Sequence, residues 1–271
     1  MSLASTPAVV LQTYRYSETS KVVRLATRDL GLQSAIAKGA LRPRSPFGAG
    51  LELLSEGVAQ LYHRESRELQ LLAAFDVTEL HRGLADDVGR FAGATALAQV
   101  FLRMAPAAPL PAAYDALTGA LAALAVVPPD AADALAVRCL WRLVGVLGFE
   151  PSLRACARDG TPVAPGANGG PPVAFSAAEG GVLCPSCAPV DPAPPTRLPA
   201  GAFRDLLALN DWAAPLPPLD APHAAAHRRL VARFVQYHLG HSDHLSALEF
   251  WEHHSWVPRR PHRPPSPPAA S

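Results

Sequence analysis

The hydrophobic pattern of this 271-residue chain changes its period near residue 80, and no other feature constrains the fold as strongly. Before that point, apolar runs of strand length are separated by turn residues, which is the pattern of β-structure. After it, apolar residues recur three and four positions apart, which is the spacing of a buried helix face. The chain is therefore predicted to place a β-unit first and a helical unit after it.

The β-unit is predicted to contain five strands. Three apolar runs are followed by a loop rich in glycine and proline at residues 39–50, and two further runs flank a turn at residues 64–67. The five runs occupy residues 8–13, 22–27, 32–38, 58–62 and 68–75. This count and order are typical of a small OB-fold barrel, although the pattern alone fits an SH3-like barrel equally well.

The helical unit begins after Asp86 and Asp87, which suit the first turn of a helix. Pro111 is placed to begin a second helix. The next stretch, residues 131–147, is apolar almost all round, which predicts a central buried helix that stops at Gly148. Two more helices are expected at about residues 199–210 and 222–239.

Residues 151–198 interrupt the helical pattern and hold three of the four cysteines. Cys184 and Cys187 form a CxxC pair, whose spacing lets two thiolates reach one tetrahedral metal ion. Cys156 is followed three residues later by Asp159, where a second pair would have a cysteine. The four side chains indicate either a zinc site or a zinc ribbon that has lost its metal and keeps Asp159 as a turn residue. Cys139 lies in the central helix and is assigned to the core.

The formal net charge is only +1, but cations are concentrated near the N-terminus. Residues 12–48 hold seven lysines and arginines against two acids, a balance of +5. Basic strands and a basic loop on a small barrel can follow a nucleic-acid backbone, with Tyr14, Tyr16 and Phe47 as candidate stacking surfaces. An ordinary solvated strand face would carry the same charges. The candidate phosphate contacts are Arg15, Lys21, Arg24, Lys38, Arg42 and Arg44.

Three classes of protein do not fit the sequence. There is no run of 18 apolar residues, so no membrane-spanning helix and no membrane partner are expected. The N-terminus lacks the charged and apolar regions of a secretory signal. Four cysteines in a chain of this length do not make a disulfide scaffold. We therefore expect a cytoplasmic protein.

Several short motifs follow one another in a specific order along the chain. The clearest is the run Ala37-Lys38-Gly39-Ala40 with Arg42-Pro43-Arg44 after it. The full set lies at residues 10–13, 16–21, 25–31, 37–40, 42–48, 147–151, 153, 156, 175–176, 179–184 and 187. In this order the motifs strongly resemble the RecO family of bacterial DNA repair proteins, and the resemblance extends to about residue 250.

The resemblance implies an α+β multidomain protein with an N-terminal OB-fold barrel, an α-helical domain and a zinc-ribbon-like insertion. With the periodicity, it predicts a barrel at residues 1–80, a helical domain at 81–150 and 199–256, an insertion at 151–198 and a proline-rich disordered tail at 257–271. The insertion would hold one structural zinc ion through Cys156, Asp159, Cys184 and Cys187, although Asp159 departs from the four-cysteine form of the family.

The resemblance also implies a recombination mediator of the RecFOR pathway that is not an enzyme. Such a protein binds single- and double-stranded DNA, anneals complementary strands and acts at the nucleoid with RecR and, indirectly, RecA. It also binds the acidic C-terminal tail of the single-stranded-DNA-binding protein SSB. Arg138 occupies a place similar to the family's tail-binding arginine, and Arg142 lies one turn later on the same helix stripe. The alternative is that this stripe is the wet side of the helix.

A histidine-rich segment near the C-terminus supports a competing hypothesis. His238, His241, Asp243 and His244 partly match the metal-binding run of metallo-β-lactamase-type hydrolases. Leu239 stands where that run has a histidine, and the segment follows a helix instead of an early strand. A polar helix end explains the same residues. A zinc hydrolase and a zinc-ribbon interaction scaffold are thus the two alternatives to a DNA-binding mediator.

Overall fold

The computed structural model describes residues 2–48, 50–64, 66–166, 170–190, 195–240 and 244–253. In these ranges a closed five-stranded barrel comes first and six α-helices follow, with a three-stranded sheet between the third and fourth helices. This arrangement confirms the predicted α+β class. Within the same ranges, no helix combines the length and the apolar character needed to cross a membrane.

The barrel has the five strands that the sequence predicts. They are β1 (Ser2–Arg15), β2 (Lys21–Thr27), β3 (Gly31–Ala37), β4 (Glu56–His63) and β5 (Leu69–Glu79). The strands close in the order β1-β2-β3-β5-β4, with β3 and β5 parallel and the other neighbours antiparallel. This is the five-stranded Greek-key arrangement of an OB-fold, so the OB-fold prediction is confirmed over the SH3-like alternative.

The first strand is longer than predicted because it pairs with two neighbours. Residues 2–9 pair with β4 and residues 8–15 pair with β2, so β1 closes the barrel. Ala8 and Val10 pack inside the barrel, whereas Val9 and Leu11 pack against the helices. Burial on both faces explains why this part of β1 is a continuous apolar run instead of an alternating one.

The helices are α1 (Val88–Met104), α2 (Pro111–Val126), α3 (Ala132–Val144), α4 (Ala200–Asn210), α5 (Ala221–Leu239) and α6 (Ser246–His253). Asp87 caps α1 by accepting a 2.9 Å hydrogen bond from the N–H of Arg90, and Pro111 is the first residue of α2. Both helix starts agree with the predictions. The sequence did not predict α6, because eight residues are too few to show a helical period.

The central position of α3 is confirmed. The helix packs against α1, α2, α4 and α5, and 11 of its 13 residues are buried. It ends at Val144 and passes into one wider turn at residues 145–149. Gly148, the residue before the last of that turn, has a φ of 96°, in the left-handed region that favours glycine.

The segment between α3 and α4 contains three short strands that the sequence did not reveal. They are β6 (Val173–Ser176), β7 (Gly181–Leu183) and β8 (Thr196–Leu198), paired antiparallel in the order β7-β6-β8. A small core of Cys156, Ala174, Leu183, Cys184 and Ala188 lies beside them. Two of the predicted metal ligands are therefore part of this core.

Candidate nucleic-acid interface

Five of the six candidate phosphate contacts gather at one end of the barrel, which we call the basic end. Its members are Arg15, Lys21, Lys38, Arg42 and Arg44. Arg15 and Lys21 stand opposite each other on β1 and β2, and Lys21 pairs with Ala37, the residue before Lys38. In the part of the chain that the structure describes, none of the five forms an ion pair with a carboxylate. The basic end is therefore a site of concentrated positive charge.

The loop at residues 38–48 is folded into successive turns and is fixed to the barrel. The N–H of Ser45 donates to the carbonyl oxygen of Arg42 at 3.0 Å. The N–H of Leu41 donates to the carbonyl oxygen of Thr19 at 2.9 Å, which joins this loop to the β1–β2 turn. Phe47 is 5 % exposed and packs in the barrel core, so its interpretation as a stacking surface is wrong. Phe47 instead anchors the basic loop.

Two aromatic side chains do lie exposed beside the basic end. Tyr14 is 47 % exposed and Tyr16 is 62 % exposed, and they flank Arg15 in the sequence. An aromatic ring next to cations is the combination that non-specific single-strand binding uses, because bases stack on the ring while cations hold the backbone.

Arg24 lies apart from the basic end. On β2, Val23 and Leu25 point into the barrel core, whereas Ala26 packs against the helices. Arg24 shares the face of Ala26 and lines a cleft beside α1. It is three positions from Lys21, so the two side chains leave opposite faces of the strand. These two candidate phosphate contacts therefore do not share one face of the barrel.

The four predicted metal ligands come together in the insertion. The ligand atoms of Cys156, Asp159, Cys184 and Cys187 all lie within 4.8 Å of one another. Oδ1 of Asp159 accepts a 2.9 Å hydrogen bond from the N–H of Thr161. Oδ2 lies 3.3 Å from the Sγ of Cys184 and 3.2 Å from that of Cys187. Asp159 is thus a turn residue and also a partner of the thiols.

Asp159 controls the protonation of this cluster. The N–H of Thr161, with help from the thiols, holds the pKa of the Asp159 carboxyl far below its usual range. The carboxylate in turn raises the pKa of Cys187 to about 12, because it accepts the thiol hydrogen. The Ser186 hydroxyl lowers the pKa of Cys184. Three thiols and one carboxylate at these separations are donors that a tetrahedral zinc ion accepts, once the thiols lose their protons.

Arg138 and Arg142 line one cavity of about 380 Å³. Arg138 lies at its buried side and Arg142 at its exposed rim. Arg138 is 7 % exposed, and its Nη2 donates to the carbonyl oxygens of Ala208 at 2.9 Å and Pro215 at 3.1 Å. The alternative that this stripe is the wet side of the helix is therefore wrong for Arg138. Arg142 is exposed, and its guanidinium carbon lies 4.4 Å from the centre of the Trp212 ring.

Trp212 is a residue of this cavity that the sequence did not reveal. It follows the end of α4 in an irregular segment and is half exposed. The only signal in the sequence is a large aromatic residue in a short stretch between two predicted helices, and a tryptophan is on average more buried than exposed.

The histidine segment does not assemble a metal site in the described residues. The ring of His238 packs between the rings of Phe149 and Phe234, with centroids 4.9 Å and 4.5 Å away. His244 is exposed, and its Nδ1 lies 3.6 Å from Glu249. His241 and Asp243 fall outside the described residues. Where the structure describes the chain, the cluster in the insertion is the one group of potential ligands that could hold a metal ion.

Comparison with known proteins identifies the family. Residues 1–81 match the family model described as Recombination protein O N terminal, and residues 85–247 match the model described as Recombination protein O C terminal. A DNA repair protein RecO of Anaeromyxobacter dehalogenans strain 2CP-C is 36% identical over 241 residues, which are 86% of this chain and 90% of the relative. The RecO of strain 2CP-1 is 35% identical over 249 residues, which are 89% of this chain and 93% of the relative.

These names describe proteins of DNA recombination and repair. The family match therefore favours a role in DNA repair over the zinc-hydrolase and zinc-ribbon-scaffold alternatives. An OB-fold barrel with a basic end, the helical unit and the two family matches lead to the same conclusion: the chain belongs to the RecO family of DNA repair proteins.

Proposed function

We propose that this protein is a recombination mediator that binds single- and double-stranded DNA and anneals complementary strands. In this role it helps RecR load RecA onto SSB-coated single strands in the RecFOR pathway, in the bacterial cytoplasm and at the nucleoid. The observation that carries the proposal is the basic end, where five cations lie together on an OB-fold barrel and have no carboxylate partner among the described residues.

The physics of annealing supports this assignment. An annealing protein must hold both complementary strands, so it cannot depend on the identity of the bases. Cations that neutralise phosphates bind any sequence, because the free energy comes largely from the release of condensed counterions. Exposed Tyr14 and Tyr16 add a stacking surface that every base can use.

The annealing of two complementary oligonucleotides without ATP tests the proposal. We expect the protein to accelerate annealing of bare and of SSB-coated strands. The variant with Lys38, Arg42 and Arg44 changed to Glu should anneal at least tenfold more slowly, because the loop then repels phosphates. A matched control reverses the exposed cations Arg82, Arg229 and Arg233, which lie outside the barrel. An equal loss in both variants would assign the effect to net charge instead of the basic end, and no acceleration by the wild type would contradict the proposal.

We also propose that the cavity beside Arg142 binds the acidic SSB tail. Arg142 offers an exposed cation stacked on Trp212, and apolar lining by Trp141, Val146 and Leu209 suits the apolar end of such a peptide. Arg138 adds its buried charge and holds the carbonyl oxygens on both sides of Trp212.

Opposite substitutions at the rim of this cavity test the tail proposal. Glu150 also lines the cavity, and its carboxylate opposes an acidic peptide. We expect Arg142→Gln to weaken the binding of a labelled SSB tail peptide about tenfold and Glu150→Gln to strengthen it. Isothermal titration gives both affinities. If both variants bind the peptide as the wild type does, the tail binds elsewhere.

The insertion is proposed to hold one structural zinc ion through Cys156, Asp159, Cys184 and Cys187. Support comes from the convergence of the four ligand atoms and from the Asp159 carboxylate, which stays ionised far below neutral pH. We expect purified protein to contain one equivalent of zinc by elemental analysis. Asp159→Cys should resist chelators longer than the wild type, and Asp159→Ala should lose zinc faster. Zinc retained equally by Asp159→Ala would remove Asp159 from the ligands, and protein without zinc would contradict the proposal.

A further inference from the structure

A cleft of about 320 Å³ separates the outer wall of the barrel from α1 and from the start of α6. The barrel contributes Gln12, Tyr14 and Arg24 to its lining, and α1 contributes Gln99 and Arg103. Arg24 brings a positive charge to the cleft, and no carboxylate lines it in the described part of the chain. The cleft therefore favours an anion.

The guanidinium of Arg24 lacks part of its hydrogen bonding. Its Nε is shielded from solvent and has no hydrogen-bond partner among the described residues. A buried donor without a partner is unfavourable, because the group has lost its water and gained nothing in return. The planar guanidinium is also the side chain best matched to phosphate oxygens, which accept two parallel hydrogen bonds from it. A phosphate in the cleft would satisfy this donor.

The walls of the cleft are held in place without a ligand. The Oε1 of Gln99 on α1 accepts hydrogen bonds from the N–H groups of Ala247 and Leu248, both at 2.9 Å. This contact caps α6 and joins it to α1. A site whose walls are already fixed binds without the loss of entropy that ordering them would require.

The cleft adjoins the basic end along β1 and is narrow. Tyr14 lines it and is half exposed, and the next residue, Arg15, belongs to the basic end. The cleft volume of about 320 Å³ suits one phosphate with its sugar and base, whereas a DNA duplex has a major groove that alone is about 12 Å wide. One strand can enter such a cleft, and a duplex cannot.

We infer that this cleft binds one phosphate of a single DNA strand that continues from the basic end, with Arg24 donating to the phosphate and Tyr14 stacking on the adjoining base. The inference rests on the proposed function and deepens it. Single strands contact both the basic end and the cleft, whereas duplex DNA contacts only the basic end. The cleft therefore selects single strands.

Two anisotropy titrations of Arg24→Gln at low salt test this inference, one with a fluorescein-labelled oligothymidine and one with a labelled blunt duplex. We expect the affinity for the single strand to fall about tenfold and the affinity for the duplex to change less than twofold. Arg233→Gln, which removes an exposed arginine outside the cleft lining, is the matched control and should change neither affinity.

A second pair of variants tests the cleft without a substitution in the half-buried part of β2. Leu53 is an exposed residue that lines the cleft, so its substitution leaves the core intact. Leu53→Glu places a carboxylate in the cleft and should reduce only single-strand affinity, whereas Leu53→Gln should not. Equal losses for single strand and duplex, or no loss in Arg24→Gln and Leu53→Glu, would overturn the inference while leaving DNA binding by the basic end in place.

The Arg24→Gln variant also tests whether the cleft binds an acidic peptide instead of DNA. If Arg24→Gln weakens the binding of a labelled hexaglutamate peptide and leaves oligothymidine binding unchanged, the cleft is an acidic-peptide site and the inference is wrong. If the wild type binds no DNA, the proposed function itself fails, which is a distinguishable result.

Discussion

His227 lies buried on α5, and neither of its ring nitrogens has a hydrogen-bond partner among the described residues. Burial, which opposes the charged ring, lowers the pKa of His227 to about 4 from its ordinary value of 6.5. The unfolded chain therefore takes up a proton first as the pH falls. Stability contributed by the neutral ring is fully present above pH 6.5 and is lost as the pH falls toward 4.

We expect His227→Leu to remove this pH dependence. The wild type should lose roughly 3 kcal/mol more than the variant between pH 7 and pH 4, since each pKa unit corresponds to about 1.4 kcal/mol. Urea denaturation of both proteins across that pH range measures their free energies of unfolding. Other titrating groups contribute equally to both proteins, so their effect cancels in the difference. Parallel stability curves for the two proteins would show that His227 gains a partner or that its ring is hydrated.

Substitutions of Arg138 and Arg142 should have different effects on stability, although both residues line the cavity proposed for the SSB tail. Truncation of Arg138 to Ala removes two hydrogen bonds to carbonyl oxygens and leaves a cavity, so we expect a loss of about 2–4 kcal/mol in the free energy of unfolding. Arg142 is exposed, and Arg142→Ala should change stability by about 0.5 kcal/mol or less. Chemical denaturation of both variants checks this contrast, and similar losses in both would contradict it.

Residue spacing predicted which potential metal ligands lie together better than it predicted which basic side chains do. The CxxC pair and the Cys156–Asp159 spacing constrain local turns, and those turns bring the ligand atoms together. The surroundings of Arg24 depend on which face of β2 the helices cover, and no local pattern carries that information. Phe47 illustrates the same limit, because its burial depends on how the loop folds back onto the barrel.

Gly31, the first residue of β3, lies very close to the connection between α1 and α2. It has a φ of 70°, and a Cβ built on it would lie 2.0 Å from the carbonyl oxygen of Ala107 and 2.7 Å from the carbonyl carbon of Ala108. Gly31→Ala therefore adds a clash with backbone to the strain of a left-handed φ. We expect a loss of more than about 2 kcal/mol in the free energy of unfolding.

Gly148 is the matched control for that substitution. Its φ of 96° carries the same kind of strain, but a Cβ there meets no atom within 4 Å. Gly148→Ala should cost about 1–2 kcal/mol, from backbone strain alone. Urea denaturation of both variants separates the clash from the strain. An effect of Gly31→Ala no larger than that of Gly148→Ala would show that the two units move apart at little cost.

Long periodic elements were predictable and short ones were not. The five barrel strands and helices α1 to α5 each span enough residues for a hydrophobic period or a capping residue to show. β6, β7 and β8 have four, three and three residues in a segment rich in glycine and proline. Their pairing depends on contacts between distant residues, such as the close approach of Gly181 to Ser152, and not on local pattern.

Over the whole molecule, the barrel and the helical unit share one core. Val9, Leu11, Ala26 and Leu54 of the barrel belong to the same cluster of buried residues as α1, α2 and α3. The residues of the basic end lie outside this shared core and stay available to a partner. The net charge of +1 conceals that arrangement, because the balance of +5 in residues 12–48 is offset by an excess of acids elsewhere.

The central claim is that the basic end holds phosphates. The salt dependence of single-strand binding tests this claim most directly. It is measured for the wild type and for a triple variant with Lys38→Gln, Arg42→Gln and Arg44→Gln. Each phosphate contact to a single strand contributes about 0.7 to the slope of log affinity against log salt. We expect the slope of the variant to be shallower by about 2, because three contacts are lost. Equal slopes for the two proteins would contradict the claim.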